Sequence, residues 1–214
     1  LPISTAEQQS KRKPAQREPG SDLAIGDIID GQYRIDGLLG TGFSSRVYRV
    51  FHLDQGKSFA MKLLMVDQQA AELVQREYNQ IGSRLPIHPH IARMHWMGRL
   101  APPDLRPYIL SEFIDGETLA PYCDSKSDKR LSMQDIRRVG CEVLLALAAF
   151  HPRKEEERGA QRAGDPEARE AEEPPGILHR DIKPQNLFVV AGDDGASRVK
   201  ILDFGLAIAA EDLA

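Results

Sequence analysis

A dense polar loop between two apolar runs constrains this chain more than any other feature. It lies between Ile177 and Phe188. Two β-forming runs that flank a short polar loop are typical of a hairpin with solvent-facing turn residues. An acid, fixed cations and an amide within a few positions are unusual in a simple turn. The polar residues in question are His179, Arg180, Asp181, Lys183 and Asn186.

The chemistry of these side chains suits phosphoryl transfer. That reaction needs a carboxylate to orient an attacking hydroxyl, a cation to offset charge on the phosphoryl group, and an oxygen ligand for Mg²⁺. Asp181, Lys183 and Asn186 could supply these roles in that order. The order H-R-D-x-K-P-x-N resembles the catalytic loop of Hanks-type protein kinases. A polar turn that matches by chance is the alternative, and further motifs in the right order would argue against it.

Composition narrows the class of protein. The 214 residues are enough for one domain, or one domain with tails, and a net charge of −4 does not favour nucleic acid or an anionic membrane as a partner. Cys123 and Cys141 are the only cysteines, which predicts neither a disulfide framework nor a zinc site. The longest apolar run, Val143 to Phe150, is too short to cross a bilayer. We therefore expect a cytoplasmic protein with no membrane segment in this chain and no nucleic-acid partner.

Changes in composition predict the domain limits. Residues 1–24 are polar and rich in charge, which predicts a disordered leader, and residues 25–214 are expected to form one incomplete domain. Its first lobe is placed at 25–113 and its second, partial lobe at 114–214. Residues 152–176 contain no Val, Ile, Leu, Met or aromatic residue, which predicts a flexible insertion.

A glycine-containing turn lies between two alternating segments near the start of this domain. Tyr33 to Leu39 and Val47 to Phe51 read as strands, and the sequence between them begins Gly-Thr-Gly. Such a turn can lay backbone N–H groups over phosphates, although a lone Gly-x-Gly is usually only a flexible turn. It resembles the kinase pattern G-x-G-x-x-G-x-V, with Ser45 at the third glycine. The resemblance implies that the nucleotide is contacted by Leu39, Gly40, Thr41, Gly42 and Val47.

A strand lysine and a helix glutamate follow. Strand periodicity places Ala60 and Lys62 on one face of a third strand, and the predicted helix Gln68 to Leu85 carries Glu77 beside its apolar stripe. Ala60-Met-Lys62 resembles the V-A-I-K motif. The resemblance implies that Ala60 leaves room for a purine and that Lys62 reaches the phosphates while pairing with Glu77. The alternative for Glu77 is an ordinary surface position.

Two later segments extend the resemblance. Residues 106–116 resemble the hinge between kinase lobes, which implies Ser111 as the gatekeeper and contacts from Glu112 and Ile114 to the base. A small gatekeeper predicts an enlarged rear pocket. Phe188 falls where the family has the floor of the adenine site. Asp203-Phe-Gly matches D-F-G, which implies that Asp203 and Asn186 hold Mg²⁺.

A helix that begins after the N-cap Ser132 is expected to be buried in a helical lobe. Its wide apolar face carries Ile136, Val139, Val143, Leu144, Leu147 and Phe150. The chain ends soon after D-F-G, so we expect a fragment of a longer kinase whose later helices, an intramolecular C-terminal remainder, would cover this face. Without them Leu144, Leu147 and Phe150 are expected to be exposed.

The predicted fold class is α+β and protein-kinase-like, with a five-stranded antiparallel N-lobe carrying one helix and a truncated, mainly helical C-lobe. The predicted function is an ATP-dependent serine/threonine protein kinase that uses ATP and Mg²⁺ on a protein substrate. The catalytic set is Asp181, Lys183, Lys62 and Glu77. Two alternatives remain: a nucleotide-binding scaffold completed by a partner or by missing sequence, and a small-molecule kinase of related fold. Lys183-Pro184 argues against the second.

Overall fold

The first half of the chain forms an antiparallel sheet with one helix. A computed structural model describes residues 20–126, 128–151, 176–191, 197–204 and 207–209. The sheet has six strands in the order β1-β2-β3-β4-β6-β5. They are β1 (Ile28–Ile29), β2 (Tyr33–Thr41), β3 (Ser45–His52), β4 (Lys57–Leu64), β5 (Met94–Arg99) and β6 (Pro107–Glu112).

The prediction of five strands was therefore wrong by one. The additional strand is β1, whose two residues pair antiparallel with Arg34 and Tyr33 of β2. Two residues are too few to produce a visible alternation, so the sequence pattern contained no signal for this strand. The α+β class is confirmed.

Alternating residues of the central strands build the core of this lobe. Ile35, Val50 and Met61 are at most 1% exposed, and they pack with Leu63 and Tyr108 in one cluster. This alternation is the period of two expected for a sheet with one face covered. Strand register follows from it, because a one-residue slip would turn the whole apolar set toward solvent.

The helix of this lobe, α1 (Gln68–Arg84), has both ends defined by the sequence. The carboxylate of Asp67 caps its first turn by accepting the N–H of Ala70 at 2.8 Å. The helix ends at Arg84, and its C-cap Leu85 is extended because the following Pro86 disfavours a helical conformation there. The predicted helix is thus confirmed to within one residue.

The second lobe combines two helices with short strands. Its elements are β7 (Gly116–Thr118), α2 (Leu119–Asp124), α3 (Met133–Phe150), β8 (Ile177–Leu178), β9 (Leu187–Ala191), β10 (Ser197–Ile201) and β11 (Ile208–Ala209). One sheet has the order β10-β9-β7 and another pairs β11 with β8. Most of the predicted insertion, residues 152–175, lies outside the described residues.

The polar loop does not close a hairpin between its flanking runs, although such runs usually form one. β8 pairs with β11, and β9 pairs with β10 and β7. The two apolar runs therefore diverge into different sheets. The polar loop therefore connects a strand of one sheet to a strand of another, and side chains from several elements converge on it.

The apolar face of α3 is covered more than expected. Phe150 is 4% exposed, and Leu147 packs against the same core cluster, so the prediction that both would be exposed was wrong. Strands β8 to β10 and Phe204 supply the cover. Leu144, by contrast, is 66% exposed as predicted.

The two lobes are joined through the loop that follows α1. Ile91 forms an isolated parallel bridge with Ile201 of β10. The N–H of Ala92 donates to the Ile201 carbonyl, and the N–H of Ile201 donates to the His90 carbonyl, each at 2.9 Å. This loop therefore extends the edge of the second lobe's sheet, next to the strand that leads to Asp203.

Candidate active site

The lysine of β4 contacts the aspartate of the D-F-G sequence. Lys62 lies opposite Val47 on one side and Ile109 on the other, in the middle of the sheet. Its Nζ is 2.5 Å from Oδ1 of Asp203, and the two side chains are 22% and 37% exposed. The side chain of Glu77 lies outside the described residues, so the Lys62–Glu77 pair stays a prediction.

Asp181 is held by two donors from its own loop. Lys183 Nζ lies 2.7 Å from Asp181 Oδ2, and Asn186 Nδ2 donates to the same oxygen at 2.8 Å. The hydrogen bond from Lys183 is the main cause of a lowered pKa of Asp181, with smaller support from Asn186. The carboxyl is therefore ionised at neutral pH and acts as an acceptor.

Asn186 connects the catalytic loop to the strand before D-F-G. It closes a short 3₁₀ turn, Pro184–Asn186, and is 7% exposed. Its amide nitrogen also donates to the Asp181 carbonyl at 2.9 Å, and its own carbonyl accepts the N–H of Leu202 at 2.9 Å. Asp203 follows Leu202 directly, so this backbone hydrogen bond links Asn186 to the residue before Asp203.

His179 is a buried residue that is hydrogen-bonded both to the polar loop and to the residue before D-F-G. It is 1% exposed; its Nδ1 accepts the N–H of Asp181 at 3.3 Å, and its Nε2 donates to the Leu202 carbonyl at 3.0 Å. Burial lowers the pKa of His179, which keeps the ring neutral and suits it to one donated and one accepted hydrogen bond. Its ring packs 4.6 Å from that of Phe204. His179 is thus a structural link between the loop and D-F-G.

Two residues of the site adopt the left-handed backbone region. Arg180 has φ 60° and Asp203 has φ 59°. Non-glycine residues rarely occupy this region, and where they do the conformation is held by surrounding structure, often at functional sites. Asp203 is also one of the residues that line the cavity described next.

A cavity of about 430 Å³ brings the predicted catalytic residues together. Three of them, Lys62, Asp181 and Lys183, contribute to its wall together with the predicted metal ligand Asp203. The glycine-rich turn supplies a second side of the wall, and the rest is apolar. These further lining residues are Phe43, Ser44, Ser45, Leu64, Val66, Val74, Tyr78, Ile81, Phe204 and Ala207.

Tyr78 is a lining residue whose place in the site the sequence analysis missed. The helical stripe marked it only as apolar. Burial, with a further contribution from the nearby Asp203 carboxylate, raises the pKa of its hydroxyl. The only available signal was its position one residue after Glu77 on the face of α1 that turns inward.

The residues predicted to contact the base lie in neighbouring strands and do not line this cavity. Ala60 is paired with Ser111, whose hydroxyl is 3.5 Å from the Ala60 carbonyl, and Val47 is paired with Gly40. Phe188 lies on β9, is half-buried and is paired with Lys200 of β10.

The remaining residues of this set lie at the ends of strands. Leu39 is 51% exposed, and Ile114 is half-buried just after β6. Thr41 and Gly42 are exposed at the glycine-rich turn, and Glu112 at the end of β6 is half-buried. Their contacts with a nucleotide base stay a prediction.

The two predicted metal ligands, Asn186 and Asp203, suit a hard cation that also binds oxygen ligands from outside the protein. Within the described part of the chain, no three His, Cys, Asp or Glu side chains converge as a complete protein-made metal site would require. The amide of Asn186 uses its nitrogen toward Asp181, which leaves its oxygen as an acceptor. Two oxygen ligands complemented by phosphate and water are the arrangement that Mg²⁺ prefers.

Comparison with known proteins agrees with this architecture. Residues 33–213 match the protein kinase domain family. The chain is 31% identical over 179 residues to the serine/threonine-protein kinase Pkn1 of Myxococcus xanthus, and 28% identical over 184 residues to CBL-interacting protein kinase 17 of rice, Oryza sativa subsp. japonica. These alignments cover 83% and 84% of this chain, but 22% and 33% of the relatives. The protein belongs to the protein kinase domain family.

Solved structures give the same fold. A crystal structure of the Mycobacterium tuberculosis PknI kinase domain superposes with a TM-score of 0.61 at 25% identity, and the match covers 86% of this chain and 63% of that one. The chain thus spans about two thirds of a solved kinase domain and between about a fifth and a third of these two curated relatives. Of the helices that the structure describes, none combines the length and the apolar composition needed to span a bilayer.

Proposed function

We propose that the protein is an ATP-dependent serine/threonine protein kinase that transfers the γ-phosphoryl group of ATP to a protein hydroxyl. The observation that carries the proposal is the convergence of Lys62, Asp181 and Asp203 on one cavity beneath the glycine-rich turn. Their positions in the sequence are far apart, so the fold alone brings them together. Family membership supports the use of ATP.

The roles follow from charge and geometry. The Lys62 ammonium lies where it can bind the nonreacting phosphates, and its contact with Asp203 keeps both groups on the same side of the cavity. Asn186 and Asp203 would hold Mg²⁺, which when bound offsets charge on the phosphates.

Asp181 faces the acceptor. As the substrate hydroxyl oxygen forms its bond to the γ-phosphorus and the bond to the ADP oxygen breaks, the hydroxyl proton passes to the Asp181 carboxylate. The lowered pKa of Asp181 ensures that this carboxylate is ionised before substrate arrives. Lys183, 2.7 Å away, is placed to balance charge on the transferring group. Lys183, two positions after Asp181, also matches the pattern of serine/threonine-directed kinases, which supports serine and threonine as the acceptors.

We also propose that the kinase acts in the cytoplasm, where ATP is available and where its two cysteines, both unpaired, would remain reduced. Its partner is a protein substrate with an exposed serine or threonine. A net charge of −4 gives no support for nucleic acid as a partner.

Phosphotransfer to a generic protein substrate tests the proposal. Labelled ATP and Mg²⁺ are supplied to the wild type and to the Lys62→Ala, Asp203→Ala and Lys57→Ala variants. Lys57 is an exposed lysine on the same strand as Lys62 and serves as the matched control. We expect losses of about 100-fold or more for Lys62→Ala and Asp203→Ala, and none for Lys57→Ala.

Equal transfer by all four proteins would refute the assignment of the site. ATP binding that depends on Lys62 but occurs without any transfer would favour a nucleotide-binding scaffold. Recovery of label on phosphoserine or phosphothreonine, and not on phosphotyrosine, is the expected acceptor pattern.

A further inference from the structure

The segment before β1 is anchored on the N-lobe although its sequence predicted a disordered leader up to residue 24. We call residues 21–27 the N-terminal strap. Leu23 is 6% exposed, and its N–H donates to the Tyr48 hydroxyl at 3.0 Å. The Ser21 carbonyl accepts a hydrogen bond from Arg106 at 2.5 Å. One apolar side chain and two backbone hydrogen bonds therefore hold the strap against β3 and the β5–β6 loop.

Arg106 is itself rigidly placed. It is 6% exposed and forms two hydrogen bonds with the Asp104 carboxylate, at 2.5 Å and 2.7 Å. A guanidinium that is buried and doubly bonded to a carboxylate presents its remaining N–H groups in a fixed direction. The strap is thus attached to a rigid point of the lobe.

The strap reaches the glycine-rich turn through one guanidinium. Asp22 Oδ1 lies 3.3 Å from Arg46 Nε. Arg46 Nη1 donates to the carbonyls of Gly42 and Ser45, at 3.0 Å and 3.2 Å. The N–H of Gly42 donates to the same Ser45 carbonyl at 2.8 Å and closes the turn. Arg46 therefore contacts the strap at one nitrogen and both ends of the turn at another.

Peptide geometry gives these contacts a consequence for phosphate binding. A trans peptide is planar, with its C=O and N–H on opposite sides. Holding the Gly42 carbonyl toward Arg46 therefore directs the N–H of Phe43 away from Arg46. Backbone N–H groups of such a turn are the donors that bind phosphate oxygens. The orientation of the turn, and so of its donors, depends on where the Arg46 guanidinium is held.

We propose that the N-terminal strap positions the glycine-rich turn for the nucleotide phosphates through the Asp22–Arg46 pair. The inference rests on the proposed function, because it assigns a determinant of ATP affinity in that same site. Asp22 and Arg46 act as positioning residues: they orient backbone donors and contact no reacting atom. ATP affinity is thereby coupled to docking of a segment that lies outside the sheet and outside every kinase motif identified in the sequence.

A double-mutant cycle on ATP affinity tests the coupling. Equilibrium binding of ATP with Mg²⁺ is measured for wild type, Asp22→Ala, Arg46→Ala and the double variant. We expect Asp22→Ala to weaken binding about 2- to 5-fold, as befits an ion pair whose carboxylate is exposed. Arg46→Ala should weaken it about 3- to 10-fold because two hydrogen bonds to the turn are lost. The double variant should match Arg46→Ala, because Asp22 acts only through Arg46.

Three controls separate positioning from a general structural role. Asp36→Ala removes a carboxylate that pairs with Arg34 on the neighbouring β2, at 2.8 Å, and should leave ATP affinity unchanged. Asp22→Glu retains the charge and should restore affinity to within about twofold of wild type. In steady-state assays Asp22→Ala should raise the KM for ATP while kcat is kept, with no change in the melting temperature of the nucleotide-free protein.

Each contrary outcome is distinct. Wild-type affinity in Asp22→Ala, or additive losses in the double variant, would overturn the strap's role while leaving the kinase assignment intact. ATP binding that is insensitive to Lys62→Ala would instead overturn the proposed function. Because the pair is exposed, the effect of Asp22→Ala should also shrink as ionic strength rises, and an effect independent of salt would contradict an ion-pair origin.

Discussion

Lys200 binds both carboxylate oxygens of Glu112, at 2.7 Å and 2.9 Å. Glu112 ends β6 in the first lobe, and Lys200 lies on β10 in the second. The same carboxylate accepts the N–H of Arg93 at 3.2 Å. The sequence predicted only a contact from Glu112 to the nucleotide base. Its side chain also connects the two lobes at the predicted hinge.

The Glu112–Lys200 pair should show measurable coupling. Its side chains are 31% and 20% exposed, so the pair is partly shielded from water. A double-mutant cycle with Glu112→Ala and Lys200→Ala, measured by urea unfolding, should give a coupling free energy of about 0.5–1 kcal/mol. Additive losses, with coupling near zero, would show that the contact does not stabilise the arrangement of the lobes.

For the stability of the fold, we expect the hydrogen bond that Glu142 accepts to matter more than its negative charge. It is 7% exposed on α3 and accepts the N–H of Val199 at 2.6 Å, on the edge of β10 that faces away from β9. Glu142→Leu leaves that buried N–H without a partner and should lower the free energy of unfolding by about 1–3 kcal/mol.

Glu142→Gln is the matched control for this prediction. Its amide oxygen can still accept from Val199, so its loss should be clearly smaller than that of the leucine variant. It does lose the attraction to Arg198 and His90, whose nitrogens lie 3.7 Å and 3.8 Å from the carboxylate. Equal unfolding free energies for the two variants would contradict the assigned hydrogen bond.

Lys183→Met should raise the pKa of Asp181. Lys183 is the largest cause of the lowered value, so its removal returns the carboxyl toward the ordinary range. Titration of the Asp181 side-chain carbon by NMR measures the shift directly, with Lys57→Met as a control that should leave it unchanged. A pKa that stays as low in Lys183→Met would assign the effect to Asn186 instead.

The same variant has a defined pH dependence of stability. The Asp181 carboxyl has a lower pKa in the folded than in the unfolded state, so the ionised form stabilises the fold above the unfolded pKa of about 4. That stabilisation is lost as pH falls through the lowered folded pKa. The stability difference between wild type and Lys183→Met should therefore be full at neutral pH and diminish in acid.

Gly116→Ala should destabilise the second lobe. A Cβ at this position would lie 2.4 Å from the Val189 carbonyl oxygen, across the pairing of β7 with β9. The backbone at Val189 cannot move aside as a flexible side chain could. We therefore expect the free energy of unfolding, measured in urea, to fall by about 1–3 kcal/mol. Gly140→Ala, in α3 with open space around the new methyl, should instead stabilise by about 0.5–1 kcal/mol. Equal effects of the two substitutions would contradict the close approach.

Local features of the fold were predictable because their causes are local. The alternation of β2 and β3 and the N-cap Ser132, which accepts the N–H of Asp135 at 3.0 Å, follow from residues within a few positions of each other. Strand β1 was missed because two residues carry no period.

Contacts between distant segments were not predictable in the same way. Leu23 and Ile25 both lie in the short segment before β1, yet Leu23 is 6% exposed and Ile25 is 77% exposed, because only Leu23 finds space beside Tyr48. The pairing of β8 with β11, rather than with β9, depends on where D-F-G returns to the loop. No periodicity encodes such choices, because they are made between segments that meet only after folding.

The order and chemical type of the motif residues determined the family and the identity of the candidate catalytic side chains, since these depend on which groups can bind phosphate, accept a proton or hold a cation. Tertiary structure decided which of those groups touch. Lys62 meets Asp203, 141 positions along the chain, and Asp22 reaches the glycine-rich turn through Arg46. A contact distance depends on how whole strands and loops pack, which no short stretch of sequence specifies.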